Sequence, residues 1–129
     1  MSRSTYSLIF LISLIFLSCN TTYKQGQRLY ELRCANCHMD DASGVDNLIP
    51  SLDNSKYLGE SVNELPCLIY TGIPPDSTSE IRTTVAMQGQ KDMTASEISN
   101  IVNYLQWLTE KKGVYLSDQE VEDLLENCQ

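Results

Sequence analysis

Histidine occurs once in the 129 residues, at His38, and the Cys-x-x-Cys pair at Cys34 and Cys37 has no second copy. A four-ligand zinc site is therefore left without the further nitrogen or sulfur donors that would close it. Basic residues are also scarce. Nine lysines and arginines face seventeen acids, a formal net charge of −8. Nucleic acids are bound by basic surfaces, so this balance argues against such a partner. No apolar run reaches the roughly 20 residues that span a bilayer. Strand-like alternation, internal repeats and low-complexity tracts are missing as well, which leaves one small helical domain as the reading.

The first segment is best set aside from the fold. It has one basic residue, Arg3, then an apolar run from Leu8 to Leu17, then Ser18 before Cys19. Those are the size and flanks of an export signal. The junction Phe16-Leu17-Ser18-Cys19 resembles a bacterial lipobox, in which the cysteine is acylated and becomes the new N-terminus. Phe16 stands where leucine is more usual. The alternative is an ordinary cleaved signal with an incidental cysteine. The resemblance implies a signal at 1–18, a lipid on Cys19, a tether over 19–23, and an exported protein at a bacterial membrane facing the periplasm. Removing Arg3 leaves eight basic residues (9 − 1) against seventeen, a net charge of −9. That suits docking to a basic partner and equally suits plain solubility.

Helical spacing of Gly26, Leu29 and Tyr30 predicts a first helix over 24–33. The stretch 39–57, rich in Asp, Ser, Gly and Asn with Pro50, reads as an irregular loop. A short helix is expected over 62–71, with Pro66 in its first turns, where a missing amide is tolerated, and Gly72 as its stop. Residues 73–91 read as loop. Thr94-Ala95-Ser96-Glu97 forms a capping box and opens the strongest helix, with Ile98, Ile101, Val102, Leu105 and Leu108 on one face and Gly113 as its end. A second box, Ser117 to Glu120, opens a last helix carrying Val121, Leu124, Leu125 and Cys128 on one side. So many loops in so short a chain leave a thin core, which a large apolar prosthetic group would fill.

The segment Cys34-Ala35-Asn36-Cys37-His38 supplies that group. Two thiols three residues apart share one side of a helical turn, and the imidazole follows at the same end. Thioether bonds to both thiols with the imidazole on iron are what make C-x-x-C-H a c-type haem attachment motif. A thioredoxin-like dithiol needs a βαβ context that this chain lacks, and a disulfide across the motif with a chance histidine is the remaining alternative. With the only imidazole committed, the other axial position falls to Met, Lys, a weaker donor, or nothing. Met39 adjoins His38 and cannot reach the opposite haem face. Met93 sits where a residue packs under the helix after it. Met87, 49 residues after His38 (87 − 38), lies in loop and is the candidate; otherwise it is a loop hydrophobe filling a gap.

From 24 to about 109 the chain resembles a class I monohaem cytochrome c. The family has a glycine and an aromatic in a helix before the motif, as in Gly26 to Tyr30. It has a glycine-bearing loop and a proline, as in Gly44 and Pro50. It also has an axial methionine about eleven residues before the first apolar residue of the last core helix, and Met87 to Ile98 is eleven (98 − 87). An aromatic in that last helix packs near the first-helix glycine, matched by Tyr104 and Trp107. Gln88 stands where proline is common, and Met39 replaces a frequent glycine. The resemblance implies an all-α fold, a small cytochrome c-like helical domain wrapped around one covalently bound haem c, spanning 24–112, with 113–129 as a helical extension packed on it. It implies that the Pro50 carbonyl accepts the proton of the second ring nitrogen of His38.

With His38 and Met87 as axial ligands no iron position is open, so the expected role is a membrane-anchored single-electron carrier and not an enzyme. Its partners are redox donor and acceptor proteins and, through the anchor, a membrane. Two alternatives stand beside it. If Met87 does not ligate, open iron suits an enzyme or sensor of peroxide, oxygen or nitric oxide; or the chain is a fixed subunit of a larger respiratory complex. Asp40 and Asp41, in turn-rich sequence beside the motif, are expected to be solvated and without catalytic role. Parity speaks to the last two of the five cysteines: with Cys19 on lipid and Cys34 and Cys37 on haem, Cys67 and Cys128 remain in an oxidising compartment, where a disulfide is expected. Two free thiols or a link between copies are the alternatives.

Overall fold

The computed structural model describes residues 23–46, 48–59, 61–75, 85–111 and 113–128. The signal at 1–18, Cys19 and the tether up to residue 22 lie outside the described residues. Helices dominate: α1 (Lys24–Arg33), α2 (Ala35–His38), a 3-10 turn at Val62–Glu64 running into α3 (Leu65–Thr71), α4 (Ala95–Leu108) and α5 (Asp118–Leu125). None of them is long and apolar enough to cross a membrane.

The molecule is organised by α1 packing across α4, the start of one beside the end of the other. Tyr23 at one end meets Trp107, and Arg33 at the other bonds Asp92, just before α4 begins. Gly26 sits at the crossing. A Cβ there would stand 2.6 Å from the Cβ of Tyr104 and closer still to the Asn100 carbonyl, so only glycine lets the backbones approach. Three residues on, Leu29 and Tyr30 are buried in the core with Ile98, Ile101, Val102, Tyr104 and Leu105. Each such side chain contributes about 1.5–3 kcal/mol by leaving water. The capping box at Thr94 and Glu97 is closed in both directions, as is that at Ser117 and Glu120. Each satisfies donors that a helix start otherwise leaves bare.

Three expectations need revision. The stretch 73–91 is not all loop, because Gly72–Ile73 (β1) pairs antiparallel with Met87–Gln88 (β2), Ile73 opposite Met87. Two residues per strand are too few to show an alternating pattern, so periodicity had nothing to detect. The stretch 62–71 begins with a 3-10 turn before α3 takes over. Helix α4 ends at Leu108, not at Gly113; the chain turns at Glu110, whose φ is 54°. The buried polar face of α4 accounts for this early end. Asn103 donates from Nδ2 to the Leu116 carbonyl (2.8 Å) and accepts from the Leu116 N–H at Oδ1 (3.0 Å). Gln106 donates to the Val114 carbonyl at 3.1 Å. These amides need the 113–116 segment beside them as extended chain, not as more helix.

The same contacts seat α5. Leu116 and Val121 are buried, Ser99 donates to Asp118 at 2.5 Å, and Cys67 of α3 is disulfide-linked to Cys128, with Cα atoms 5.4 Å apart. The segment after 113 therefore packs against α3 and α4.

Candidate functional site

Cys34 closes α1, its N–H donating to the Tyr30 carbonyl at 2.8 Å, and it opens the single turn α2. The turn brings Cys37 and His38 back over Cys34, whose carbonyl accepts from both of their N–H groups, at 3.0 and 2.9 Å. Both motif thiols are free, Cys34 half-buried and Cys37 exposed. Burial is the main cause that pushes the Cys34 thiol up to about 11, with Arg33 opposing and Cys37 adding to the rise. It is therefore a protonated thiol at neutral pH.

His38 is half-buried, and loss of water around the ring pulls its pKa below the usual imidazole value. The ring is thus held neutral, the form in which a nitrogen can donate a lone pair to a metal. Its Nδ1 is buried with no hydrogen-bond partner. An orphaned buried ring nitrogen is rare in a settled core, and it marks the corner as one built for further bonding. The Gly44 N–H donates to the His38 carbonyl at 3.1 Å, and a Cβ on Gly44 would stand 2.8 Å from the Pro50 oxygen. Pro50 is therefore brought to the motif. Its carbonyl nevertheless makes no hydrogen bond to Nδ1, contrary to what the resemblance implied. The loop's own backbone bonds, Val45 N–H to the Ile49 carbonyl and Leu52 N–H to the Ala42 carbonyl, both 2.9 Å, set that carbonyl against Gly44.

The methionines separate cleanly. Met93 is only 5% exposed and belongs to the core. Met39 has φ 62° and turns the chain out of α2, its carbonyl accepting from the buried Tyr30 hydroxyl at 2.6 Å. Met87 lies in β2, partly buried against the core cluster. The 87–92 segment is tied to the motif by Arg33, the residue before Cys34: its guanidinium bonds Asp92 at 2.9 Å and reaches Gln90 at 3.5 Å. That bond holds the Asp92 carboxyl below its ordinary range. Sequence reasoning missed Arg33, Tyr30 as a hydroxyl donor, and Asn103. A basic residue at a helix end is common enough to carry no signal, and its partner is 59 residues away.

The residues present fit a haem. The donor set is two free thiols and one neutral imidazole, and among the described residues no cluster of three or more His, Cys, Asp or Glu offers a rival metal site. Leu32, Leu48 and Val85 stand exposed by 46% or more. Each precedes by two positions a residue of the expected site: Cys34, Pro50 and Met87.

The family model for cytochrome c matches residues 23–109. Among curated proteins, the chain is 32% identical over 90 residues to the cytochrome c subunit of the quinone alcohol dehydrogenase of Gluconacetobacter polyoxogenes, covering 67% of this chain and 19% of that subunit. The corresponding subunit of Gluconobacter oxydans (strain 621H) is 31% identical over 84 residues, 62% of this chain and 17% of its own length. The chain thus spans about a fifth of the length of these relatives. Over the helices that present the Cys34–His38 turn, it is a member of the cytochrome c family, an all-α, haem c-binding electron-transfer domain.

Proposed function

We infer that the protein is a membrane-anchored carrier of single electrons, holding one haem c between His38 and Met87. The observation that carries this reading is the pairing of two free thiols with a neutral, half-buried imidazole at the end of α1. Cys34 and Cys37 hold the group by thioethers and His38 ligates one side. Met87 ligates the other, on a strand pinned by β1 and, through the segment after it, by Arg33. When bound, the haem supplies a one-electron ferric/ferrous couple whose potential a thioether ligand raises. Cys34 and Met87 pack partly buried against the core cluster, which holds both ends of the site in place so that little has to move. A haem held by both His38 and Met87 would have no iron position left for a substrate.

Cys19 carries the lipid after removal of 1–18, and the domain stands on the outer face of a bacterial membrane, facing the periplasm. The chain's acidity suits basic redox partners. A second reading is favoured by the relatives, which are named as subunits of a dehydrogenase: the domain is then a fixed relay within a complex. If Met87 fails to ligate, a haem enzyme or sensor for a small ligand becomes the better description.

The ferric spectrum of the export-matured protein tests the ligation. A weak far-red sulfur-to-iron band is expected, lost in Met87→Ala and kept in Met93→Leu. The reverse pattern would assign the ligand to Met93, and absence of the band from the parent protein would leave the open-iron reading. Co-purification of a dehydrogenase from membranes would favour the relay over the free carrier.

A further inference from the structure

An aromatic face with no partner in the described structure lies at the end of the domain remote from the thiols. The Tyr23 ring stacks on Trp107 at 6.2 Å between centroids, and Trp107 leans on Tyr104 at 5.8 Å, which roots it in the core. Trp107 is nevertheless 55% exposed, and Val114 and Tyr115 are 68% and 64% exposed. Tyr23, Trp107 and Tyr115 line an open cleft of about 550 Å³ with Lys111 and Glu110. Among the described residues the other large exposed apolar side chains are Leu32, Leu48 and Val85, and none of them lines this cleft.

Reach, chemistry and charge decide what covers it. Cys19 stands four residues before Tyr23, and four residues extend to about 14 Å at most. A lipid on Cys19 therefore keeps this end of the domain against the headgroups. Tryptophan and tyrosine are the side chains that settle at headgroup level, rings toward the acyl chains and N–H or O–H toward water. Lys111 can lay its stem along the cleft and turn its ammonium to a phosphate. One acid and one base line the cleft, so it is locally neutral in a chain of net charge −8. The acids of α5 and its cap, Asp118, Glu120, Glu122, Asp123 and Glu126, lie outside it.

We propose that the Tyr23–Trp107–Tyr115 face rests in the headgroup layer of the bilayer that holds the Cys19 anchor. The Cys34–His38 turn is then directed away from the membrane, toward a partner in the aqueous phase. Helix α1, with ten residues, sets these two ends about 15 Å apart. The inference rests on the anchored reading above and adds an orientation to it.

Trp107 is the only tryptophan in the chain, so its indole N–H is an unambiguous probe in the NMR spectrum of the diamagnetic ferrous holoprotein. The lipidated full chain in phosphatidylcholine/phosphatidylglycerol nanodiscs should show that resonance broadened several-fold by a lipid spin-labelled near the headgroup. The Gln119 side-chain amide on α5 should be unaffected. An indole reached only by a water-soluble relaxant would overturn the proposal, and so would one reached by neither agent, since a protein partner or a second copy would then cover the face. Mass spectrometry for the acyl chain judges the anchor separately. If that mass is missing, the anchored reading alone fails, and the face is judged by co-sedimentation of Cys19→Ser holoprotein with vesicles of the same lipids. At least threefold weaker binding by Trp107→Ser, with an unchanged haem spectrum as the folding control, supports the face; equal binding refutes it.

Discussion

Replacing Cys128 by serine should cost the protein more stability than any other conservative change in its last twenty residues, while leaving the haem environment alone. The disulfide to Cys67 closes a sequence separation of 61 residues. In the chain-entropy model a loop of that size restricts the unfolded chain by about 4 kcal/mol. Most of the effect falls on the unfolded state, because α5 keeps other attachments. Val121 and Leu116 stay buried, Asn103 still binds both backbone groups of Leu116, and Ser99 still donates to Asp118. Guanidinium unfolding followed by far-UV circular dichroism should therefore show a lower midpoint and a steeper dependence on denaturant, since an unlinked chain exposes more surface. The far-red haem band should persist, although α3 leads through β1 to β2 and Met87. The double change Cys67→Ser/Cys128→Ser should cost little more than either alone, as either one breaks the bridge. A loss under about 1 kcal/mol, or two single losses that simply add, would refute this account of how the extension is held.

Asn103→Leu keeps the number and branching of the side chain's heavy atoms but strips the Leu116 N–H and carbonyl of their partners inside the protein; about 1–3 kcal/mol for each unsatisfied group is expected. Thermal unfolding should fall well below that of Asn100→Ala, a change on the same helix that removes a bond only to the Ser96 carbonyl, and equal losses would show that the pinning of 113–116 is unimportant. Asp118 gives a pH signature. Hydrogen bonds from Ser99, then Ser96, hold its carboxyl below the ordinary range, so its contribution is present above the unfolded pKa of about 3.9 and is lost as pH falls through the lower folded value. The stability gap between the parent and Asp118→Asn should be constant from about pH 5 to 7 and shrink below about pH 4. A gap that persists to about pH 2 would assign the effect to something other than this ionisation.

Much of the helical scaffold comes from local rules acting over a few residues. Both capping boxes need only a hydroxyl and a carboxylate three apart, and they start α4 and α5 at Thr94 and Ser117 whatever lies around them. The burial of Gly26, Leu29 and Tyr30 reads directly from helical spacing. The Cys34–His38 turn is equally local, since its chemistry is contained in five consecutive residues. Parity of cysteines pointed to Cys67 and Cys128, and the structure joins them. What the sequence could not carry is whatever depends on residues far apart in it. Arg33 meets Asp92 across 59 positions, β1 meets β2 through only two residues each, and Asn103 ends the reach of α4 by binding a backbone that has not yet been placed. The aromatic face is of the same kind: Tyr23 and Tyr115 carry no signal singly, Trp107 reads only as an aromatic packing near Gly26, and the three become one surface only because the start of α1 meets the end of α4. Local propensity chose the helices; the long-range contacts among their polar and aromatic side chains decided which ends meet.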